Sequence, residues 1–508
     1  MRNGATEMLA YHEATKHSYW SVRRSPGWLD WSNEPRLVKV YRGLEPLPLP
    51  PDPPKSSLPA VEAVALPGTG GDRILDPRTL AGFLRYSAGI LRARRYPGGE
   101  IRFRAAPCTG ALYHIEVYPV CADLPGLPAG VYHYGPQDHA LRRLREGDHR
   151  AFLARAAGEE GGVERCAAVL VLTSVWQRNA WKYRARAYRH VFWDAGTLLA
   201  NLLAVAAAHG IPARVVAGFV DQEVTRLLDL DPDRELPVAL VALGSAGPPS
   251  PPPPVAPLGY AVEPVLPREL RESLILSAHA ASAFGTPEEV RAWRGIRVDV
   301  RPGEPSGILY PLRRMPPDRL PGVPVEEVIR RRRSTRRFAR TPIPFEAFSE
   351  VLLRATGPIP ADFLPDGASL VTPFLLVHAV EGLPPGAYLF RPDLQALEPL
   401  RPGEFRGEAA YLALEQPAAG EAAVAVFWMA RLPWVLDALG ARGYRAVQLE
   451  GGIRGGKIYL LAHALGLRAT ALTFYDDEIT NFFLPAASGY SPMFLVVFGR
   501  RRRSPDTF

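Results

Sequence analysis

Three short stretches of this 508-residue chain carry residue types that could do chemistry. The first is RRRRSTRR at 330–337. Arg332, Arg333, Ser334 and Arg336 offer planar, bidentate guanidinium groups and a hydroxyl, the donor set that holds a dianionic phosphate. A solvated basic helix end has the same composition, and the run by itself does not separate the two. The second is PCTGALY at 107–113, in which Gly110 supplies a backbone freedom that residues with a Cβ resist. A plain turn before a buried strand explains it as well as a loop laid against a ligand does. The third is Lys182–Tyr183. Only five of the sixty basic residues are lysines, so a lysine retained here suggests an amine that must lose its proton, which guanidinium cannot do. Away from water such an amine would fall toward neutrality, as a general base requires. A surface lysine paired with a carboxylate is the alternative.

These groups must be held by a duplicated scaffold. AYRHVFWDAG from Ala187 and GYRAVQLEGG from Gly443 share one pattern at a fixed offset of 256 residues. That offset carries Tyr188 to Tyr444, Arg189 to Arg445, Asp194 to Glu450, Gly196 to Gly452, Gly210 to Gly466 and Asp221 to Asp477, and upstream it carries Gly126 to Gly382. The expected organisation is an arm over 1–69, a first repeat over 70–245, a proline-rich linker with a connecting helix over 246–321, and a second repeat over 322–508. Short apolar strand candidates such as AAVLVLTSV and PVALVALG mix with helical patterns, which predicts an α+β architecture. The helices at 197–208 and 453–465 are apolar almost all round, so the two repeats are expected to bury them against each other as an intramolecular pseudo-dimer.

Composition narrows the function classes. The net charge of +8 comes from scattered arginines rather than a stripe, which argues against nucleic acid. No run of about 18 uncharged apolar residues and no charged-then-apolar leader is seen, so neither a membrane span nor secretion is expected. Three cysteines without metal-ligand spacing suit a reducing compartment, with the cytoplasm as the default and no metal expected. No G-x-G-x-x-G follows a strand, and LEGGIRGGK at 449–457 lacks a Ser or Thr after its lysine.

The arginine run, followed by FARTPIPFEAFSEVLLRA, resembles the entry motif of the nitroreductase superfamily of FMN enzymes. RAAPCTGALYHIEVYPV at 104–120 and KYRARAYR at 182–189 resemble motifs of its SagB/ThcOx branch, the azoline dehydrogenases. The resemblance implies two tandem nitroreductase-like domains with FMN between them. Arg332, Arg333, Ser334 and Arg336 would take the phosphate, with Arg500 and Arg502 as a second contact. Pro107, Cys108, Thr109, Gly110 and Ala111 would border the ring, Leu472, Thr473 and Phe474 its N5 edge, and Lys182–Tyr183 would be the acid/base couple. The implied activity is oxidation of thiazoline or oxazoline rings in a modified peptide, with a cyclase as a possible partner and the chain a monomer or dimer. An NAD(P)H-dependent nitro- or quinone reductase and a flavin-free peptide-binding scaffold are the alternatives. The repeats also decay in complementary ways. The first-repeat counterpart of RRRRSTRR falls near EAVALPGTG at 62–70, and the offset carries PCTGALY onto FLPDGAS at 363–369 and Lys182–Tyr183 onto Ala438–Leu439. One composite site per chain is therefore expected.

Overall fold

The computed structural model describes residues 4–24, 28–68, 75–97, 99–298, 303–305 and 307–502. The first half supplies strands β1 (Leu47–Pro48), β2 (Ile90–Tyr96), β3 (Gly99–Arg104), β4 (Ile115–Cys121), β5 (Gly130–Gly135), β6 (Ala140–Glu146), β7 (Ala168–Ser174), β8 (Ala213–Val216) and β9 (Leu236–Leu243). The second half supplies β10 (Tyr310–Pro311), β11 (Thr372–Val377), β12 (Gly386–Arg391), β13 (Ala396–Pro402), β14 (Val424–Ala430), β15 (Arg468–Leu472) and β16 (Ser491–Gly499). They build two seven-stranded sheets of identical order, β1-β6-β5-β4-β7-β9-β8 and β10-β13-β12-β11-β14-β16-β15. Inner strands such as β9 and β14 are apolar runs buried over their whole length, the pattern of a strand covered on both faces. The fold is thus α+β, built twice. Among the described residues the β2–β3 hairpin has no counterpart in the second sheet.

The expected helix pair forms the seam between the repeats. Ala187–Ala208 and Arg442–Ala464 are buried along nearly their whole length and pack on each other. The stretch Gln177–Ala208 contains an apolar window long enough to cross a bilayer, but 89% of that window is buried inside the protein. The helices meet backbone to backbone at Gly196 and Gly452. A Cβ on Gly196 would lie 2.6 Å from Gly452 C, and one on Gly452 would lie 2.6 Å from Trp193 O. Only glycine permits that approach.

Two buried ion triads lock the seam. Arg186 and Arg189 of the first repeat reach Asp476 of the second, and Arg442 and Arg445 of the second reach Asp221 of the first. Asp476, rather than Asp477, is therefore the partner of Asp221 under the pseudo-symmetry. The second repeat is one residue shorter between Leu472 and this aspartate, and Asp477 instead pairs with Lys16 at the surface. The arm and the linker belong to the duplication as well. Arg189 donates to His12 O and Thr15 Oγ1, while Arg445 donates to His279 O and Ser282 Oγ. Asp476 accepts from the amide of His17, and Asp221 from that of Phe284. An offset of 267 relates these segments. Residues 260–320, for which the sequence suggested no role, thus include the second copy of the arm.

Candidate functional site

A cavity of about 840 Å³ opens between the repeats. From the first repeat it is lined by the loop Pro107–Ala111. Gly110 there has φ 65°, in the left-handed region, and a Cβ on it would lie 2.8 Å from the Tyr183 hydroxyl. The loop is clamped by Asp194 on the long helix. This carboxylate accepts from Thr109 N at 3.0 Å, Thr109 Oγ1 at 2.9 Å, Cys108 Sγ at 3.1 Å and His114 Nε2 at 2.8 Å. Burial, reinforced by Asp194, pushes the Cys108 thiol well up, so it remains a protonated donor. Glu450 makes the equivalent clamp in the second repeat, accepting from Ser369 Oγ and Leu370 N.

The second repeat brings the arginine run. The helix Val325–Arg331 ends with Arg332 in extended conformation, which turns the run into the cavity. Arg332, Arg333, Ser334 and Arg336 all line it. Arg332 donates across the seam to Ala105 O, and its guanidinium lies 5.8 Å from the Tyr459 ring. Burial lowers the Arg332 and Arg333 guanidinium groups from their ordinary values. The Tyr459 hydroxyl takes the Ala471 amide at 2.6 Å and contacts Ser334 Oγ at 3.2 Å.

Most of the residues singled out in the sequence converge here. Leu472 and Thr473 join the lining, and Thr473 Oγ1 lies 3.3 Å from His17 Nδ1 of the arm. Phe474 does not. It is fully buried against Trp193 behind the lining, just as its first-repeat counterpart Phe219 is fully buried. Arg500 and Arg502 also fall outside. β16 ends at Gly499 and delivers the chain to the 337–342 segment, where Arg500 Nε donates to Pro342 O and the Arg502 amide to Arg337 O. Lys182 lies exposed on the rim rather than enclosed, 5.4 Å from the Tyr183 ring, so the expected removal from water is not its setting. Burial raises the Tyr183 phenol, with Asp194 adding to the shift, which keeps it protonated.

Among the lining residues that went unassigned in the sequence are Arg92, His190, Trp193 and Asp194. The last three had a readable signal. Arg186, His190, Trp193 and Thr197 recur at 4-3-4 spacing, one face of a helix, and Asp194 stands beside it. Arg92 had none, since it arrives on the unduplicated hairpin.

At the pseudo-symmetric position a segment of the second repeat packs onto the first. Pro360–Asp362 runs along β8, accepting from Val215 N through Pro360 O and donating from Asp362 N to Val215 O. The Asp362 carboxylate takes the Ala217 and Gly218 amides at 2.8 and 2.9 Å. Trp293 packs against Gly218, and Arg294 bridges Asp362 and Glu160. The first-repeat segment answering to the arginine run passes at Gly68, whose carbonyl accepts from Ala213 N. Thr69 and Gly70 of that segment lie outside the described residues.

Comparison with known proteins agrees with this architecture. Residues 87–245 and 329–500 match the nitroreductase family. The chain is 31% identical over 153 residues to the microcin B17-processing protein McbC of Escherichia coli, covering 29% of this chain and 55% of McbC. A nitroreductase-family protein of Methanocaldococcus jannaschii is 29% identical over 161 residues, covering 32% of this chain and 80% of that protein. The trifolitoxin-processing protein TfxB of Rhizobium leguminosarum bv. trifolii is 30% identical over 149 residues, 27% of this chain and 38% of TfxB. A solved nitroreductase-type structure from Anabaena variabilis superposes with a TM-score of 0.76 at 24% identity, covering 98% of this chain and 99% of that one, so the tandem arrangement is shared end to end. Two matched segments, two sheets of one topology and a seam of paired long helices make this chain a tandem-domain member of the nitroreductase family.

Proposed function

We propose that the chain is an FMN-dependent oxidoreductase of the azoline-dehydrogenase type, with one flavin site per chain. The observation that carries this reading is the union, in one cavity, of the second repeat's arginine run with the first repeat's 107–111 loop and Lys182–Tyr183. The lining suits FMN. Arg332, Arg333, Ser334 and Arg336 would hold the phosphate, and Arg92, which also lines the cavity, would add a further donor. The 107–111 loop, Leu472 and Thr473 would border the ring. When bound, the flavin supplies the hydride acceptor. Lys182 would take the proton from the heterocycle carbon, and the protonated Tyr183 hydroxyl, held beside Gly110, would donate a hydrogen bond to the substrate. A base on an exposed rim suits a substrate large enough to remain partly in solvent. Relatives named for processing microcin B17 and trifolitoxin support a processed peptide in that role. Anaerobic mixing tests the substrate class: a heterocycle-bearing peptide should bleach the bound flavin, whereas bleaching by NAD(P)H and not by the peptide would make the protein a general reductase.

A further inference from the structure

We infer that His17, on the arm, is a positioning residue of this cavity, holding the Thr473 hydroxyl for the molecule that binds there. Thr473 lines the cavity, and its Oγ1 lies 3.3 Å from His17 Nδ1. Two anchors bring the histidine to this wall. The end of the helix Ala5–Ala14 and Thr15 are tied to Arg189, and the His17 amide then donates to Asp476 Oδ2 at 2.8 Å. That carboxylate is itself held by Arg186 and Arg189. With its backbone fixed at the triad, His17 directs its ring to Thr473, three residues before Asp476. Burial, with Arg186 next, pushes the imidazole down to about 3, so the ring is neutral near neutral pH. It therefore offers Thr473 a hydrogen bond and not a charge. In either tautomer one proton lies between Nδ1 and Oγ1, and this bond fixes the hydroxyl.

The second copy of the arm separates the role of the backbone from that of the ring. At the offset of 267, Phe284 stands where His17 does, and its amide makes the same contact with the triad aspartate, Asp221. Its ring packs on Trp293, with centroids 5.6 Å apart. Three residues before Asp221 stands Gly218, in the place of Thr473. A Cβ on Gly218 would lie 3.0 Å from Asp362 Oδ2 and 3.1 Å from the Trp293 ring, so that covered wall is crowded against a side chain. Fixing the arm to its aspartate thus requires no imidazole, since phenylalanine serves in the copy. Of the two arms, only the one beside the cavity carries the imidazole, and it faces the hydroxyl.

On the flavin reading proposed above, on which this role depends, Thr473 borders the ring, and a hydroxyl already fixed loses less freedom when the ring arrives. FMN titrated into the apoproteins of His17→Phe, Thr473→Val and the double variant completes a mutant cycle. Phenylalanine is the residue of the copied arm, so the amide contact with Asp476 should persist. Each single variant should weaken FMN about three- to tenfold, the worth of one neutral hydrogen bond, and shift the visible absorption band of the bound flavin. The double variant should do no worse than either single one. His17→Asn, which returns a polar group near the Nδ1 position, should recover part of the loss, whereas a merely structural arm would lower the melting point and leave the band unmoved. Losses that add, or a folded His17→Phe with wild-type affinity and band, would overturn the assignment. Thr473→Val leaves the arm untouched, so wild-type affinity and band in that variant would overturn it even if His17→Phe failed to fold. Failure of wild-type protein to bind FMN would instead sink the flavoenzyme reading.

Discussion

The Asp362 carboxylate and the Gly218 amide nitrogen lie 2.9 Å apart, so a second-repeat side chain caps the first-repeat segment that answers to Thr473. On the other side the corresponding segment, around Thr473, lines the cavity, and the nearby Ala471 amide is satisfied by the Tyr459 hydroxyl instead. Leu203 stands at the Tyr459 position on the Asp362 side. The two halves therefore share a fold but not a site.

Asp362→Ala should leave the Ala217 and Gly218 amides without acceptors, at about 1–3 kcal/mol for each buried group. Its thermal midpoint should fall while the flavin content per chain stays constant, because the first-repeat counterpart of the arginine run, EAVALPGTG at 62–70, carries no arginine. A rise in bound flavin would show that the plug alone had kept the mirror cavity shut.

Comparing FMN with riboflavin tests the phosphate assignment. Arg333→Ala combined with Arg336→Ala should abolish FMN retention. Arg92→Ala should weaken FMN by roughly 10–150-fold, the worth of one charge-assisted hydrogen bond at about 1.5–3 kcal/mol, yet leave riboflavin affinity unchanged. Equal losses for both flavins would place Arg92 elsewhere than at the phosphate.

Lys182→Ala should keep its flavin and fold but lose turnover by about 10²–10⁴-fold, the usual scale of general base catalysis. Lys182→Arg should recover little, since charge is kept and proton release is not. Near-normal turnover of the arginine variant would reduce Lys182 to an electrostatic role.

The seam triads carry a stability expectation. Burial pushes the Asp221 carboxyl up, but Arg442 and Arg445 overcome it and pull it down to about 2. Its contribution is then fully present above the ordinary value of 3.8 and lost as pH falls through about 2. Asp221→Asn should cost about 3–5 kcal/mol at neutral pH by leaving two buried guanidinium groups unpaired. In urea titrations the gap between wild type and variant should shrink as pH drops below 4. A gap that does not change with pH would mean that the triad is not the source of the loss.

Much of this was legible in the sequence because the duplication is gapless where the long helices and inner strands lie. One offset relates β4–β9 to β11–β16, except for the single residue lost before Asp476. Tyr188, Arg189 and Gly196 stand out because they sit on the seam, where charge and close backbone approach restrict the choice of residue. The copied arm was hidden by linker length: the offset grows to 267 between His12 and His279, and few matches, among them Leu9 with Leu276 and Thr15 with Ser282, survive to mark it. The match of Asp221 to Asp477 failed for the opposite reason, since a constant offset was carried across a deletion. Arg500 and Arg502 were drawn in by position after the last strand, but strand direction carries them away from the cavity. Arg92 could not be found from the repeat, because a unique hairpin has no partner to be compared with.

The central claim is one composite flavin site per chain, and cofactor stoichiometry tests it most directly. FMN titrated into the apoprotein, with release by denaturation and chromatography as a check, should saturate at one equivalent per chain and yield FMN rather than FAD. Two equivalents per chain, recovery of FAD, or no flavin even after incubation with FMN would contradict it.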